Sequence, residues 1–220
     1  MSTISATSLS ISDHVTSFNE GFTATIGPRL SEVFDREQND LVAAGVPTTS
    51  VQSGDRIADA ALLDSSGASV QLYDALGSGA AVVVFYRGAW CPYCNLTLKH
   101  YQEQLLPTLR ERGIELIAIS PQTAEGSEQA VTNGALEFTV LSDPGNVLVR
   151  QLGILTEPAA DARAAHTELG FDVADSNADS TGDIPFPTVL IVNAARTVTF
   201  ADVHVDYTTR TEVSEILAAL

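Results

Sequence analysis

Apolar residues follow a helical period through the first fifth of the chain. Within residues 8–45 they recur at helical spacing, at Leu30, Val33, Phe34, Leu41 and Val42. This spacing predicts an amphipathic helical segment that ends near Gly45, and we expect its apolar side chains to be buried. A polar connector at 48–54 follows. The sequence therefore predicts a helical N-terminal extension over residues 1–47 and a second domain over residues 54–220.

From residue 60 onward, predicted strands alternate with predicted helices. Residues 80–86 (AAVVVFY) form an apolar, β-branched run that is typical of a strand buried on both faces. The period then becomes helical over residues 98–109, where Pro107 should introduce a kink before Gly113 ends the helix. The other predicted elements are hairpins at 60–72 and 188–203, strands at 114–120 and 138–141, helices at 127–133, 158–170 and 212–220, a helix ending at 152, and a polar loop at 171–183. This alternation predicts an α/β fold with a largely parallel core and an antiparallel edge.

Composition and charge exclude several classes of partner. Apolar residues make up 45% of the 220 residues and charged residues 18%, which indicates a packed globular protein. The formal net charge of −17 argues against binding to nucleic acid or to anionic membranes. There is no apolar run long enough to span a membrane, and residues 1–14 lack the features of a signal peptide. We therefore expect a cytoplasmic protein.

The charge is unevenly distributed along the chain. Residues 85–112 carry a net charge of +2, whereas the remainder carries −19. Both cysteines of the chain, Cys91 and Cys94, lie in this positive segment, together with Arg87 and the only lysine, Lys99. We expect Arg87 and Lys99 to strengthen the positive field around the cysteines.

The two cysteines form a Cys-Pro-Tyr-Cys motif between a predicted buried strand and a predicted helix. Free N–H groups and the dipole at a helix N-terminus stabilise a thiolate, and this spacing allows a disulfide across one turn. A zinc site would need two further ligands, and the four histidines are scattered without ligand spacing. A pair of inert buried cysteines is the other alternative. The placement favours a redox pair, and we predict no metal and no cofactor.

Four segments of the sequence resemble one family. Taken together they are similar to the peroxiredoxin-like branch of the alkyl hydroperoxide reductase/thiol-specific antioxidant (AhpC/TSA) family, from about Gly54 to the C-terminus. The resemblance implies a thioredoxin-like fold of the peroxiredoxin type, with a central mixed sheet flanked by helices, preceded here by an N-terminal helical extension. The segments are FYRGAWCPYCNLTLKHYQEQL, GIELIAISPQT, FTVLSDPGNVLVRQLGI and PFPTVLIVNAARTV.

The chain departs from the family at the reactive site. The family carries a Pro-x-x-x-Thr-x-x-Cys motif, whose first proline, threonine and peroxidatic cysteine fall here at Arg87, Cys91 and Cys94. A later arginine of the family, which helps to bind peroxide, falls at Pro187. Pro187 instead matches the cis-proline of thioredoxins, so a cis bond after Phe186 is expected.

These matches predict a set of site residues. Arg87 is the candidate to replace the missing anion-binding arginine, with a surface charge at the helix junction as the alternative reading. Trp90 and Tyr93 are predicted to border the substrate. The alternatives are a packing role for Trp90 and a solvent-facing position for Tyr93. Phe186 and Pro187 complete the predicted substrate-binding set.

The resemblance implies a thiol-dependent antioxidant enzyme that reduces hydrogen peroxide or organic hydroperoxides. The resulting Cys91–Cys94 disulfide would be reduced by a thioredoxin-like protein or a low-molecular-weight thiol. Either cysteine can be the nucleophile, and we favour Cys91 because the first cysteine of such a pair is usually the more exposed. A protein disulfide reductase is the alternative enzyme, and a redox-sensing interaction module is the non-enzymatic alternative. The N-terminal helices are expected either to cover a sheet edge or to mediate homodimerisation.

Overall fold

The computed structural model describes residues 9–220. The helices are α1 (Ile11–Ala44), α2 (Leu72–Ala75), α3 (Pro92–His100), α4 (Leu106–Glu111), α5 (Ala124–Gly134), α6 (Val147–Gln151), α7 (Ala160–Glu168), α8 (Val173–Ser176) and α9 (Val213–Ala219). The strands are β1 (Ala61–Asp64), β2 (Ser69–Gln71), β3 (Ala81–Phe85), β4 (Glu115–Ser120), β5 (Thr139–Ser142), β6 (Leu155–Thr156), β7 (Ile184–Pro185), β8 (Thr188–Val192) and β9 (Val198–Val203).

Seven of the strands form one mixed sheet in the order β2-β1-β5-β4-β3-β8-β9. The three central strands β3, β4 and β5 are parallel, since helices connect them, whereas the pairs toward both edges are antiparallel. The predicted mixed sheet flanked by helices is therefore confirmed. Antiparallel strands occur at both sides of the parallel centre, where the sequence pattern had indicated one edge.

Strand β3 is buried on both faces, as its continuous apolar sequence predicts. Val82 and Val84 point into the core beneath α3 and α4, while Val83 and Phe85 point into the core formed with α2 and α6. The alternation follows from the two-residue period of a strand. Because both faces are filled, the end of β3 is rigidly positioned, and the cysteine motif begins shortly after it.

The helix after β3 is interrupted where the sequence predicts a kink. Between α3 and α4 the chain forms a π-helical turn over Tyr101–Leu105, in which the Leu106 N–H donates to the Tyr101 carbonyl. Pro107 has no N–H to donate and disfavours regular α-helix in the turn before it. The π-helical turn is the physical form that the predicted kink takes.

The N-terminal helix is present and packs against α3 and α7. It bends at Gly27, whose φ of 77° is followed by Pro28. Its first turn is held by Glu212, whose carboxylate accepts the N–H groups of Ile11 and Ser12 at 3.0 and 2.9 Å. Val42 remains 52% exposed, so the expectation that it is buried was wrong: it lies in the last turn of α1, beyond the part that contacts α7.

Residues 1–8 of the predicted extension lie outside the described residues, and the division at 47–54 stays a prediction. The segment predicted as a polar loop contains the short helix α8, and the β6–β7 pair next to it carries no clear sequence signal. Within residues 9–220, no helix is long and apolar enough to cross a membrane.

Candidate active site

The cysteine pair occupies the N-terminus of α3. Cys91 is the N-cap residue, Pro92 is the first helical residue, and Cys94 lies in the first turn. Proline is well suited to that position because the first helical N–H has no partner within the helix. Both thiols are free, and each cysteine is only 1% exposed. The expected greater exposure of Cys91 is therefore not observed.

The turn between β3 and α3 is fixed by polar contacts. The side chain of Gln122, which follows β4, accepts the Ala89 N–H at 2.7 Å, and Asn95 donates to the Ala89 carbonyl at 2.7 Å. Gly88 has a φ of 153°, and a Cβ at this position would lie 2.4 Å from Trp90 Nε1. A glycine is required here because the Trp90 indole packs directly over the backbone.

Arg210 contacts Cys94 and was missed by the sequence analysis. Its Nη2 donates to Cys94 Sγ at 3.3 Å, while its Nη1 donates to the carbonyls of Tyr207 and Thr209 at 2.5 and 2.6 Å. Arg210 lies in the loop between β9 and α9, 116 positions from Cys94. It supplies a positive charge directly at the sulfur, where neither Arg87 nor Lys99 donates a side-chain hydrogen bond.

The Arg210 loop is held by a network of side chains. His204 Nε2 bonds to Asp202 at 2.9 Å, and Thr211 donates to the same carboxylate at 2.8 Å. Tyr101, in the π-helical turn, donates to the Thr211 carbonyl at 2.6 Å. These contacts fix the residues on both sides of Arg210, so its guanidinium is held in place before any substrate binds.

The two cysteines have opposite acid–base behaviour. Burial alone would raise the pKa of Cys94, but the hydrogen bond from Cys91, the charge of Arg210 and the N–H of Arg87 together lower it below the ordinary value of a thiol. Burial raises the pKa of Cys91, and the hydrogen bond to Cys94 raises it further. The favoured ionisation state is a Cys94 thiolate that accepts a hydrogen bond from the Cys91 thiol.

Arg87 lies at the site and is buried, so the alternative that it is a surface charge at the helix junction was wrong. It is 5% exposed, and its guanidinium lies 4.2 Å from the Tyr207 ring centroid and 4.9 Å from that of Trp90. Lys99 points into solvent and pairs with Glu103 at 3.8 Å. The expectation that Lys99 acts on the cysteines was therefore wrong, because its ammonium is directed away from them.

Trp90 and Tyr93 are packed beside the cysteines. Trp90 stacks with Phe171 at 5.4 Å between ring centroids. Tyr93 is 9% exposed and donates to the Asn19 side chain of α1 at 2.7 Å, so the alternative of a solvent-facing residue was wrong. Its hydroxyl is directed toward α1 and away from the sulfurs by that bond.

Phe186 and Pro187 lie on the other side of the site, in the short link between β7 and β8. Pro187 borders the small pocket at Cys94 with Arg210, and Phe186 borders a neighbouring pocket with Arg87. No peptide bond within residues 9–220 is cis, so the prediction of a cis bond before Pro187 was wrong. The Phe186 N–H donates to Ile154 and the Pro187 carbonyl accepts from His204, which holds this link extended between the two strands.

A larger cavity of about 420 Å³ opens beside Cys91. It lies between α1, α7 and the start of α3, and most of the residues that line it are aromatic. Cys94 borders a different and much smaller pocket of about 10 Å³. Among the described residues, no group of three or more histidine, cysteine or acidic side chains is arranged to hold a metal ion.

A scan against protein-family models matches the AhpC/TSA family over residues 53–201, which is most of the chain. The chain belongs to the AhpC/TSA family. This AhpC/TSA region contains the cysteine motif and the central sheet, whereas α1 and Arg210 lie outside it.

The curated relatives that the chain resembles are thiol-disulfide oxidoreductases. The AhpC/TSA chain is 28% identical over 105 residues to the thiol-disulfide oxidoreductase ResA of Bacillus thuringiensis (strain Al Hakam), which covers 47% of this chain and 59% of ResA. ResA of Bacillus cereus is 30% identical over 103 residues, covering 45% of this chain and 56% of that protein. The match thus spans less than two thirds of these relatives.

Among solved structures, the fold is similar to that of peroxidoxin BcpB from Mycobacterium tuberculosis, with a TM-score of 0.57 and 20% identity over 77% of this chain and 96% of that one. Reduced Prx3 from Vibrio vulnificus, in complex with hydrogen peroxide, has a TM-score of 0.61 and 17% identity, over 77% of this chain and 98% of that one. These likenesses confirm the thioredoxin-like fold of the peroxiredoxin type.

Proposed function

We propose that the protein is a thiol-dependent oxidoreductase that reduces hydroperoxides, with Cys94 as the attacking thiolate and Cys91 as the resolving thiol. The observation that carries this proposal is the hydrogen bond from Arg210 Nη2 to Cys94 Sγ at 3.3 Å. A charge-assisted hydrogen bond stabilises the thiolate over the thiol, and the thiolate is the form that attacks peroxide. This assignment reverses the preference for Cys91 drawn from the sequence.

The reaction follows from the positions of the two sulfurs. The Cys94 thiolate attacks one oxygen of the hydroperoxide, the O–O bond breaks, and the leaving alkoxide or hydroxide takes up a proton. Cys94 is then a sulfenic acid, and the Cys91 sulfur attacks it to form the Cys91–Cys94 disulfide with release of water. Two electrons from an external thiol donor regenerate both thiols.

A protein disulfide reductase is the second candidate, favoured by the ResA relatives and by the intact Cys-x-x-Cys motif. Against it stands the burial of both sulfurs, which are 1% exposed beneath α1 and the Trp90 region. A disulfide on a folded protein would reach Cys91 only after α1 moves.

Steady-state assays separate the candidates. We expect thiol-dependent consumption of hydrogen peroxide or cumene hydroperoxide that is abolished in Cys94→Ser, with little reduction of an insulin-type disulfide. In the absence of a monothiol, each chain of the Cys91→Ser protein should consume one molecule of peroxide and then stop. Faster turnover with insulin than with either peroxide would assign the protein as a disulfide reductase. Negligible turnover with all substrates, together with oxidation-dependent association, would instead support the redox-sensing module.

A further inference from the structure

The two sulfurs of the pair face different spaces. Cys94 borders the pocket of about 10 Å³ next to Arg210, which is about the space that a single water molecule needs. Cys91 borders the cavity of about 420 Å³ between α1 and α7, which is within the usual size range of small-molecule sites. Cys94 does not border this larger cavity. The cavity therefore indicates a second small molecule that approaches Cys91.

The wall of this cavity carries a buried cation. Arg87 is 5% exposed and borders the cavity, yet none of the ion pairs formed within residues 9–220 includes it. The buried carboxyl of Glu37 accepts the Ala159 N–H at 2.7 Å and shares a neighbouring pocket with Arg87, but it forms no ion pair with Arg87 and does not line this cavity. None of the described residues around the cavity is acidic, although the chain carries a net charge of −17. On the side of this cavity the Arg87 guanidinium contacts, among the described residues, only the rings of Trp90 and Tyr207, and a buried guanidinium without an ion-pair partner favours an anion beside it.

We propose that the cavity binds a low-molecular-weight thiol that carries a carboxylate, and that this thiol reduces the Cys91–Cys94 disulfide. The inference rests on the proposed function, which supplies that disulfide as the oxidised form of the enzyme. The apolar walls receive the carbon skeleton of the thiol, and Arg87 pairs with its carboxylate. Because α1 covers Cys91, the small thiol has access where a thiol on a folded protein does not.

The direction of attack follows from the two pKa values. The thiolate of the ligand attacks Cys91 Sγ, the Cys91–Cys94 bond breaks, and Cys94 leaves as the thiolate that Arg210 stabilises. A sulfur with a lowered pKa is the better leaving group, and Cys94 is that sulfur. A second ligand thiolate then attacks the ligand sulfur of the mixed disulfide. Cys91 is released and takes up a proton, and the ligand departs as its own symmetric disulfide.

The test uses the full chain oxidised with diamide, so it requires no peroxidase activity. Reduction of the disulfide is followed by stopped-flow fluorescence of Trp90, the only tryptophan of the chain. The two reductants are mercaptopropionate and mercaptoethanol. The rate with each thiol is divided by the rate at which that thiol reduces hydroxyethyl disulfide, which corrects for its intrinsic reactivity. We expect a preference of about tenfold for the carboxylate-bearing thiol, from one charge-assisted contact. Arg87→Met should abolish this preference. Arg112→Met, which removes an equal charge from an exposed position, should retain it.

A second pair of variants keeps the proposal testable if Arg87→Met does not fold. Thr25 is exposed at the rim of the cavity, and Thr23 is exposed on the same helix but outside the cavity. Thr25→Phe should slow reduction by both thiols at least fivefold, whereas Thr23→Phe should not. Equal normalised rates for the two thiols in the wild-type protein would overturn the proposal. If neither diamide nor peroxide produces a Cys91–Cys94 disulfide, the proposed function itself fails and the inference fails with it.

Discussion

Removing the guanidinium of Arg210 should raise the pKa of Cys94 and slow its oxidation. Arg210 Nη2 lies 3.3 Å from Cys94 Sγ, and hydrogen bonds to charged groups contribute about 1.5–3 kcal/mol. At about 1.36 kcal/mol for each pH unit, the loss of this bond corresponds to an increase of about one to two units in the pKa of Cys94. The lost charge of Arg210, which also lowers that pKa, acts in the same direction.

The assay is best made in a Cys91→Ser background, where Cys94 is the only thiol of the chain. The ultraviolet absorbance of the thiolate is then titrated for Arg210→Met, for Arg210→Lys and for the parent. Arg112→Met is the matched control, because it removes the same charge from an exposed position at the far end of the helix. We expect Arg210→Lys to fall between the parent and Arg210→Met, since lysine keeps the charge but not the forked geometry.

A titration of Arg210→Met that matches that of Arg112→Met would refute this assignment, provided that circular dichroism shows both proteins folded. In that case the low pKa of Cys94 would have to come from the hydrogen bond of residue 91, the helix N-terminus, the backbone N–H of Arg87 and the Arg87 charge. Arg210 would then be a structural residue of the loop after β9.

Three further predictions concern the surroundings of the site. Gly88→Ala should destabilise the protein by about 1–3 kcal/mol and shift the Trp90 fluorescence, because the new Cβ would meet the indole 2.4 Å away. Burial and the nearby charge of Arg87 lower the pKa of His166 to about 4, so between pH 6.5 and 4 the unfolded chain binds more protons than the folded chain. Acidification over this range should therefore lower the free energy of unfolding of the wild-type protein by roughly 2–3 kcal/mol, as measured by urea titration. His166→Phe should not show this loss. Glu212→Ala should lower the free energy of unfolding by about 1 kcal/mol and speed hydrogen exchange in the first turn of α1.

Each of these predictions has a matched comparison. Gly79→Ala, at a position with an ordinary contact distance of 3.6 Å, should leave both stability and fluorescence nearly unchanged. A wild-type protein that loses no more stability on acidification than His166→Phe would contradict the account of His166. Glu128→Ala, on an exposed face of α5, should not alter exchange in α1, and equal effects of the two glutamate variants would show that Glu212 does not cap that helix.

The central part of the fold could be predicted because its signals are local. The apolar, β-branched run of β3 is typical of a strand buried on both faces, and the change to a helical period places the cysteine motif at the junction. Pro107 likewise marks the interruption before α4. The β6–β7 pair was not predictable, since two-residue strands leave no periodic pattern in the sequence.

The reactive site could be predicted only in part, because only some of its residues are close together in the sequence. Cys91, Cys94 and Arg87 fall in one short segment, whereas Arg210 approaches from 116 positions away in a loop that has no motif. The position of Lys99 had a local signal, because Glu103 follows it by four residues and such pairs lie on one helix face. Which sulfur ionises depends on Arg210, so the sequence alone favoured Cys91, whereas the proposal made here assigns the attack to Cys94.

Trapping of the first oxidation product tests the central claim most directly. Cys91→Ser and Cys94→Ser proteins are treated with hydrogen peroxide in the presence of a sulfenic-acid probe, and the labelled residue is located by mass spectrometry. We expect the adduct on Cys94 in the Cys91→Ser protein and no adduct in the Cys94→Ser protein. An adduct on Cys91 in the Cys94→Ser protein, with the Cys91→Ser protein unlabelled, would contradict the assignment of Cys94 as the attacking thiolate.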